Sequence, residues 1–413
     1  MADRHVDVLL VGGGVASASC AKALRDRGFP GSILLVGREP DPPYERPPAS
    51  KEYLAGKSAK EDAFLHPEGW YAEHDIELLT RTSVMKLDTE AKEATLSTKQ
   101  TVSFEHALIA SGANVRRLPV DGSDLEGIHY LRALRNSDAI RDDVDEAANV
   151  VLVGGSYIGC EVAATLTSLG KQCTVVMQED LPLSRGFGDT AGRFFQGLLE
   201  SKGIRFVGGA EVDRFEGEGQ SVDRVVLKDG TTLEADAVVL GVGAVPDVML
   251  ARSAKLELGP GGGVLCDDRL RTSAPGIYAA GDMCEYESAI HGRHVRIEHF
   301  EVAVAHGKTA AANILGDDVA HTEVPYFWSD LADWATLESV GPALDGFDDE
   351  VVRGSVEDGE FTLWLLKEGR LAAALTVGRG GDLEHARRFL TAHTPLGEHT
   401  ATLADPASDL SSI

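Results

Sequence analysis

Basic residues, paired cysteines and long apolar runs are all scarce in this sequence, and each scarcity removes a class of function. Only 39 Lys and Arg stand against 66 Asp and Glu, a formal charge of −27 at pH 7. A nucleic-acid partner needs a basic surface to displace counterions, so none is expected; an acidic surface that aids solubility is the plainer reading. The five cysteines, at positions 20, 160, 173, 266 and 284, come no closer than 13 residues. There is thus no C-x-x-C, no local redox disulfide and no zinc spacing, and each thiol is expected to be a small buried side chain. A cytoplasmic location fits that usage. Apolar stretches such as Ala237 to Val245 contain glycine and fall well short of the roughly 18 residues that span a bilayer. Apolar residues ahead of Ala18-Ser19-Cys20 imitate a lipoprotein signal, but Asp7 interrupts them and no basic segment precedes them.

What is present is a soluble globular composition, 43% hydrophobic and 25% charged over 413 residues, enough for two or three domains of about 100 to 200 residues. Near the start, Val6-Asp7-Val8-Leu9-Leu10-Val11 reads as a buried parallel strand, and Gly12-Gly13-Gly14-Val15-Ala16-Ser17 as a tight turn into a helix reaching about Arg27. Such a turn brings backbone N–H groups to a pyrophosphate at the positive helix end. The pattern is G-x-G-x-x-S, with Ser17 where Gly or Ala is preferred. A strand from Ile33 to Val36 follows, then Glu39, 27 positions after Gly12, somewhat beyond the roughly 20 usual for a ribose-binding carboxylate. Alone, the stretch is also compatible with a βαβ unit that binds nothing.

The chain then repeats the theme. Pro42-Pro43-Tyr44-Glu45-Arg46-Pro47-Pro48-Ala49-Ser50-Lys51 is a stiff loop presenting two cations. Ala107 to Ala113 is an apolar strand ending in small residues, Ala110-Ser111-Gly112, that allow close approach to a ligand. At Val150 to Gly159 a second fingerprint appears, G-x-S-x-x-G, with Gly154, Ser156 and Gly159 in the key places and a helix from about Tyr157 to Ser168. Two such patterns, 142 residues apart, point to two dinucleotides, one of them a flavin. A serine-hydrolase elbow is excluded by Ile158. Glu179 follows the next strand, where a carboxylate accepts from a ribose 2′-OH and repels a 2′-phosphate; this favours NADH over NADPH, with Arg185 near enough to soften the preference. Asp282, after Ala280-Gly281, is placed to accept from sugar-chain hydroxyls. Glu298-His299-Phe300-Glu301 opens an alanine-rich helix to about Leu315; nothing completes H-E-x-x-H, so a helix start is preferred to a metal site. From about His321 to Leu396, strand-like runs alternate with turns before a helix, Asp382 to Ala392.

The order of these motifs, with Gly241-Val242-Gly243 and Tyr326-Phe327-Trp328-Ser329-Asp330-Leu331, resembles the FAD-dependent pyridine nucleotide reductases over about residues 5 to 395. The branch it looks most like holds the NADH-dependent ferredoxin, rubredoxin and putidaredoxin reductases, with apoptosis-inducing factor and monodehydroascorbate reductase as relatives. The resemblance implies an α/β fold of two Rossmann-like domains plus a C-terminal α+β domain. The FAD-binding domain would be split between 1–115 and 245–320, the NAD-binding domain would occupy 116–244, and the reductase domain 321–403, with 404–413 a flexible tail. No active-site disulfide is implied, and no metal.

By the same resemblance, Lys51 lies beside the isoalloxazine and Glu161 pairs with it, the two forming the catalytic pair. FAD would be held by Gly12, Gly14, Val15, Ala16, Glu39, Arg46, Lys51, Ala110, Ser111, Gly112, Arg132, Gly281, Asp282, Glu298, His299, Phe300 and Trp328; NAD would be held by Gly154, Ser156, Tyr157, Ile158, Glu161, Glu179 and Gly243. Ser17, Ser111 and Ser156 depart from the pattern without removing either site. The implied activity takes hydride from NADH and passes electrons singly to a small ferredoxin, from a monomer or homodimer. Glu298-His299-Phe300-Glu301 is closer to the two more distant relatives, which keeps open a reductase of quinones or small radicals and a redox-sensing flavoprotein. Ferredoxins are commonly acidic, so docking to this chain needs a local basic patch, for which Arg269, Arg271, Arg293, Arg296, Arg387 and Arg388 are candidates.

Overall fold

A computed structural model describes residues 2–413. The chain forms two compact units. The first comprises everything up to Glu45 with Glu61–Asn114 and Ala244–Pro325; the second comprises Arg46–Lys60, Val115–Gly243 and Tyr326–Ile413.

In the first unit, branched aliphatic runs make a parallel sheet in which Arg4–Val11 lies between Ile33–Val36 and Thr101–Ile109, with Ile76–Leu79 beyond the former and Ile277–Ala279 beside the latter. The register aligns Val11 with Val36, Val11 with Ile109, and Ile109 with Ala279. The four strands therefore end at one level, and Gly12, Gly37, Ala110 and Ala280 emerge side by side. That edge is where open α/β sheets bind ligands. Val8, Leu9, Leu10 and Leu34 are fully buried, as expected of strands covered on both faces. The helices Val15–Asp26 and Phe300–Ile314 pack closely, because Gly307 has no side chain to hold them apart: a Cβ there would lie 2.3 Å from the Ala16 carbonyl oxygen.

The second unit repeats the parallel arrangement, in the order Arg205–Val207, Gln172–Val176, Asn149–Val153, Ala237–Leu240 and Ile128–Tyr130. Val153 aligns with both Val176 and Leu240, so Gly154, Met177 and Gly241 leave from one edge. Beyond it stands a five-stranded antiparallel sheet, Tyr326–Leu331, Ala335–Val340, Arg370–Val377, Glu360–Lys367 and Asp349–Ser355, flanked by the helix Asp382–Ala392.

Two boundaries differ from the expected ones. The Arg46–Lys60 loop, sequence-adjacent to the first unit, belongs to the second, where Ser137 and Thr165 hydroxyls donate to the carbonyls of Ala49 and Ser50 at 2.6 and 2.8 Å. The segment 404–413, expected to be a flexible tail, is folded: Leu410 is only 1% exposed, Arg353 donates to the Asp405 and Ser408 carbonyls, and Arg388 to those of Leu410 and Ile413.

Candidate functional site

The glycine turn of the first unit is shaped for close approach. Gly12 has φ +120°, and a Cβ there would sit 2.1 Å from the Ala110 carbonyl oxygen, so only glycine fits. Above Gly14 the space is open, with nothing within 4 Å of an added Cβ. Gly14 caps the Val15–Asp26 helix with no side-chain hydrogen bond and no acidic residue in the first turn, among the described residues. The first N–H groups and the positive helix end are therefore available to an anion. Val15 and Ala16 begin that helix, and Ser17 is buried in the fingerprint's third small position. Glu39 follows the aligned strand, its carboxylate accepting from the Tyr44 hydroxyl at 2.6 Å. Ser111, where threonine is commoner, donates to the Asp247 carbonyl at 2.6 Å, and the Gly112 carbonyl accepts from the Asp247 amide at 2.8 Å; both brace the loop.

Gly281 has φ +73°, and its missing Cβ would lie 3.7 Å from that of Ala16. The Gly281–Met283 turn carrying Asp282 thus sits at the start of the fingerprint helix. His299 caps the Phe300–Ile314 helix. Glu298 is engaged by Arg296 in an ion pair, which competes with the cofactor contact expected of it.

In the second unit the same physics recurs. Gly154 has φ +113°, and its Cβ would lie 2.4 Å from the Gly241 carbonyl oxygen; a Cβ on Gly159 would lie 1.9 Å from the Gly154 carbonyl oxygen. The outer glycines are therefore required, whereas Ser156 between them is exposed and caps the Tyr157–Ser168 helix without a side-chain bond, among the described residues. Ile158 is exposed in the first turn. The Tyr157 ring meets Phe187 and Phe327 at 6.0 and 4.3 Å, and burial pushes its phenol up to about 12. Glu179 emerges after its strand with Arg185 at 3.9 Å. Gly243 has φ +98°, and its carbonyl accepts the Arg116 amide at 2.9 Å.

The strongest electrostatic feature lies wholly within the second unit. Lys51 and Glu161, with side chains 8% and 5% exposed, approach to 3.5 Å. The hydroxyls of Ser50 and Ser329 each donate to Glu161 at 2.5 Å, one to each oxygen. Lys51 also lies 3.3 Å from Asp330 Oδ2, whose other oxygen accepts from Thr336 at 2.7 Å. Its ammonium stands 5.6 Å over the Trp328 ring; Trp328 and Asp330 share a strand face, two residues apart. Desolvation raises the Glu161 carboxyl while Lys51 and the two serines pull it down, and burial wins. Arg46 donates to the Arg132 carbonyl at 2.6 Å, bringing those two expected contacts together.

Sequence reasoning placed Lys51 with Glu161 but did not single out Ser50, Ser329 or Asp330. The last two stand in the Tyr326–Leu331 run already marked by resemblance, and the alternation of that strand was the available signal. All five cysteines are free and buried. Among the described residues no group of His, Cys, Asp or Glu is placed to hold a metal, and no helix is long and apolar enough to cross a membrane. The candidate basic patch changes character: Arg269 and Arg271 pair with Asp318, and Arg296 with Glu298.

Two parallel sheets, each with a glycine turn and an uncapped helix start at its carboxyl edge, define a protein that binds two dinucleotides. Residues 6–307 match the pyridine nucleotide-disulphide oxidoreductases and residues 326–413 the reductase C-terminal domain; the chain belongs to the pyridine nucleotide-disulphide oxidoreductase family. It is 34% identical over 370 residues to the rubredoxin-NAD(+) reductase of Pseudomonas putida, covering 90% of this chain and 95% of that protein. The ferredoxin reductase for the CYP199A2 system from Rhodopseudomonas palustris superposes with a TM-score of 0.93 at 33% identity, over 98% of this chain and 99% of that one. The reductase in the covalent putidaredoxin reductase–putidaredoxin complex gives 0.92 at 32% identity, over 100% of this chain and 98% of that one. The chain is accordingly a flavin- and pyridine-nucleotide-dependent oxidoreductase, and its two glycine cradles fit those dinucleotides.

Proposed function

We propose that this chain is an NADH-dependent flavoprotein reductase that hands electrons, one at a time, to a small iron–sulfur or rubredoxin-type protein in the cytoplasm. The observation that carries the reading is the pair of glycine seats, Gly12 and Gly154, at the aligned carboxyl edges of two separate sheets. The relatives named for rubredoxin, ferredoxin and putidaredoxin support the acceptor class.

Bound FAD supplies a two-electron acceptor for hydride that is also a one-electron donor. The chain's own residues bind and orient. The Gly12–Ala16 turn offers backbone N–H groups to the FAD pyrophosphate, Glu39 accepts from the adenosine ribose, and Asp282 accepts from the sugar-chain hydroxyls. In the second unit, the turn from Gly154 to Ile158 seats the NADH pyrophosphate and Glu179 takes the ribose 2′-OH. Glu161 and Asp330 hold the Lys51 ammonium in place, and by its motif Lys51 would supply a fixed positive charge to a flavin ring.

Anaerobic mixing with NADH and NADPH tests the reading: faster bleaching of the flavin by NADH is expected, and faster bleaching by NADPH would contradict the role of Glu179. An acceptor screen with NADH then compares ferredoxin, rubredoxin, quinone and ferricyanide. Rapid turnover confined to quinone or small radicals would replace the proposed acceptor, and slow turnover with all would favour a redox sensor.

A further inference from the structure

A deeply buried titratable cluster of the first unit has no part in the reading above. His306, fully buried on the Phe300–Ile314 helix, meets Tyr286 and His321 edge-on, with ring centroids 4.7 and 4.5 Å away. Its Nδ1 accepts the backbone N–H of Gly281 at 3.1 Å. A nitrogen that accepts is unprotonated, so the ring's proton resides on Nε2. That Nε2 and the Nε2 of His321 are both buried without a hydrogen-bond partner among the described residues. Unpaired buried polar atoms are destabilising, so packing alone would be better served by an apolar side chain. What the imidazole adds is one acceptor, aimed at the turn that carries Asp282. Burial and the neighbouring His321 keep the ring neutral by holding it well below the usual imidazole range.

That turn is gripped from both ends. Its Gly281 amide is held by His306, and the Asp282 carbonyl accepts from Arg296 at 3.0 Å. The residue after His306 is Gly307, the point where the two helices touch beside Ala16. We infer that His306 is a positioning residue that fixes the Gly281–Asp282 turn against the fingerprint helix and so holds the Asp282 carboxylate for the sugar-chain hydroxyls of FAD. The inference rests on the FAD site proposed above and adds to it a residue that does not touch the cofactor.

The test is titration of FAD into apoprotein, followed by flavin fluorescence, with H306L and H306N. Asparagine carries its Oδ1 where histidine carries Nδ1. H306L is expected to raise the FAD dissociation constant about tenfold, the effect of one lost hydrogen bond, and H306N to stay within about threefold of wild type. In H306L the buried Gly281 amide loses its acceptor while the unpaired Nε2 is removed, so the melting temperature of the apoprotein is expected to stay close to that of wild type, which separates positioning from loss of structure. Equal FAD affinity in all three proteins, or equal weakening in both variants, overturns the inference while leaving the proposed function intact. A wild-type chain that binds no FAD overturns both. Should H306L fail to fold, the 15N spectrum of histidine-labelled wild-type holoprotein decides, with the His306 signal assigned by its absence in H306N: an Nε2-protonated ring is expected, and a proton on Nδ1 overturns the inference.

Discussion

Glu161 shows how much a single residue depends on its neighbours. Its carboxylate is almost wholly buried, and burial raises its pKa even though Lys51, Ser50 and Ser329 all favour the charged form. Removing one member of a buried ion pair leaves the other uncompensated, which typically costs about 3–5 kcal/mol. The two serine hydroxyls still serve Glu161 in Lys51→Ala, and a lone carboxyl can take up a proton, so a loss near the low end, about 3 kcal/mol, is expected in chemical denaturation. The double variant K51M/E161Q should be less destabilised, because no buried lone charge remains: Asp330 is 31% exposed and still accepts from Thr336. Flavin reduction by NADH is expected to slow in Lys51→Ala, and a rate equal to wild type would remove Lys51 from the reaction. At this scale the sequence was only partly legible. Lys51 and Glu161 were reached through family resemblance, whereas Asp330 and the two serines reach the pair only after the fold brings segments together from 50, 161 and 329.

Elements were more legible, because strand and turn chemistry is local. The aliphatic run, the glycine turn from Gly12 and the helix that follows it at Val15 lie where the sequence pattern put them, and the same holds for the turn from Gly154 and the helix at Tyr157. A Gly12→Ala substitution makes the argument concrete: its Cβ would lie 2.1 Å from a backbone oxygen, at φ +120°. The turn must open to relieve that clash, so FAD affinity is expected to fall by at least about tenfold, measured by retention of the 450 nm flavin absorbance through gel filtration. What no local pattern conveyed was the Arg46–Lys60 loop crossing to the second unit, since its anchors come from Ser137 and Thr165, far away in sequence.

The Phe300–Ile314 helix and the segment after it carry a pH consequence. His321 is driven down to about 4 by burial. The unfolded chain takes up that proton near 6.5 and the folded chain only near 4, so the folded state loses about 1.4 kcal/mol per pH unit as pH falls between those values. His306 shifts in the same direction and adds to the loss. Glu161 acts with opposite sign: raised in the folded state, it favours folding as pH falls through its range. Burial also lowers His66 and His106 and raises Glu45, so four imidazoles against two carboxyls predict a net fall in the free energy of unfolding from pH 6.5 to 4.5, read from urea melts. In H321L the slope should be shallower; an unchanged slope would remove His321 as its source.

At the scale of the whole molecule the governing number is the charge of −27. Of the six arginines that the sequence offered as a docking patch, Arg269 and Arg271 are paired with Asp318 and Arg296 with Glu298, so their charge is locally cancelled. Arg387 lies over the Tyr326 ring and Arg388 is spent on the carbonyls of Leu410 and Ile413. With the charge of three of the six offset and a net −27 over the chain, an acidic ferredoxin is expected to approach against a net repulsive field. Such a field reaches about 30 Å at 0.01 M salt and about 8 Å at 0.15 M. Raising the salt shortens the repulsion before it weakens any close contact, so the association rate should rise over that range, the reverse of the behaviour of an electrostatically steered pair. Stopped-flow reduction of an acidic ferredoxin by the NADH-reduced chain, at stepped ionic strength, measures it directly. A rate that falls with salt would mean that a basic surface outweighs the global charge at the docking face, and charge reversal of arginines one at a time would then locate it.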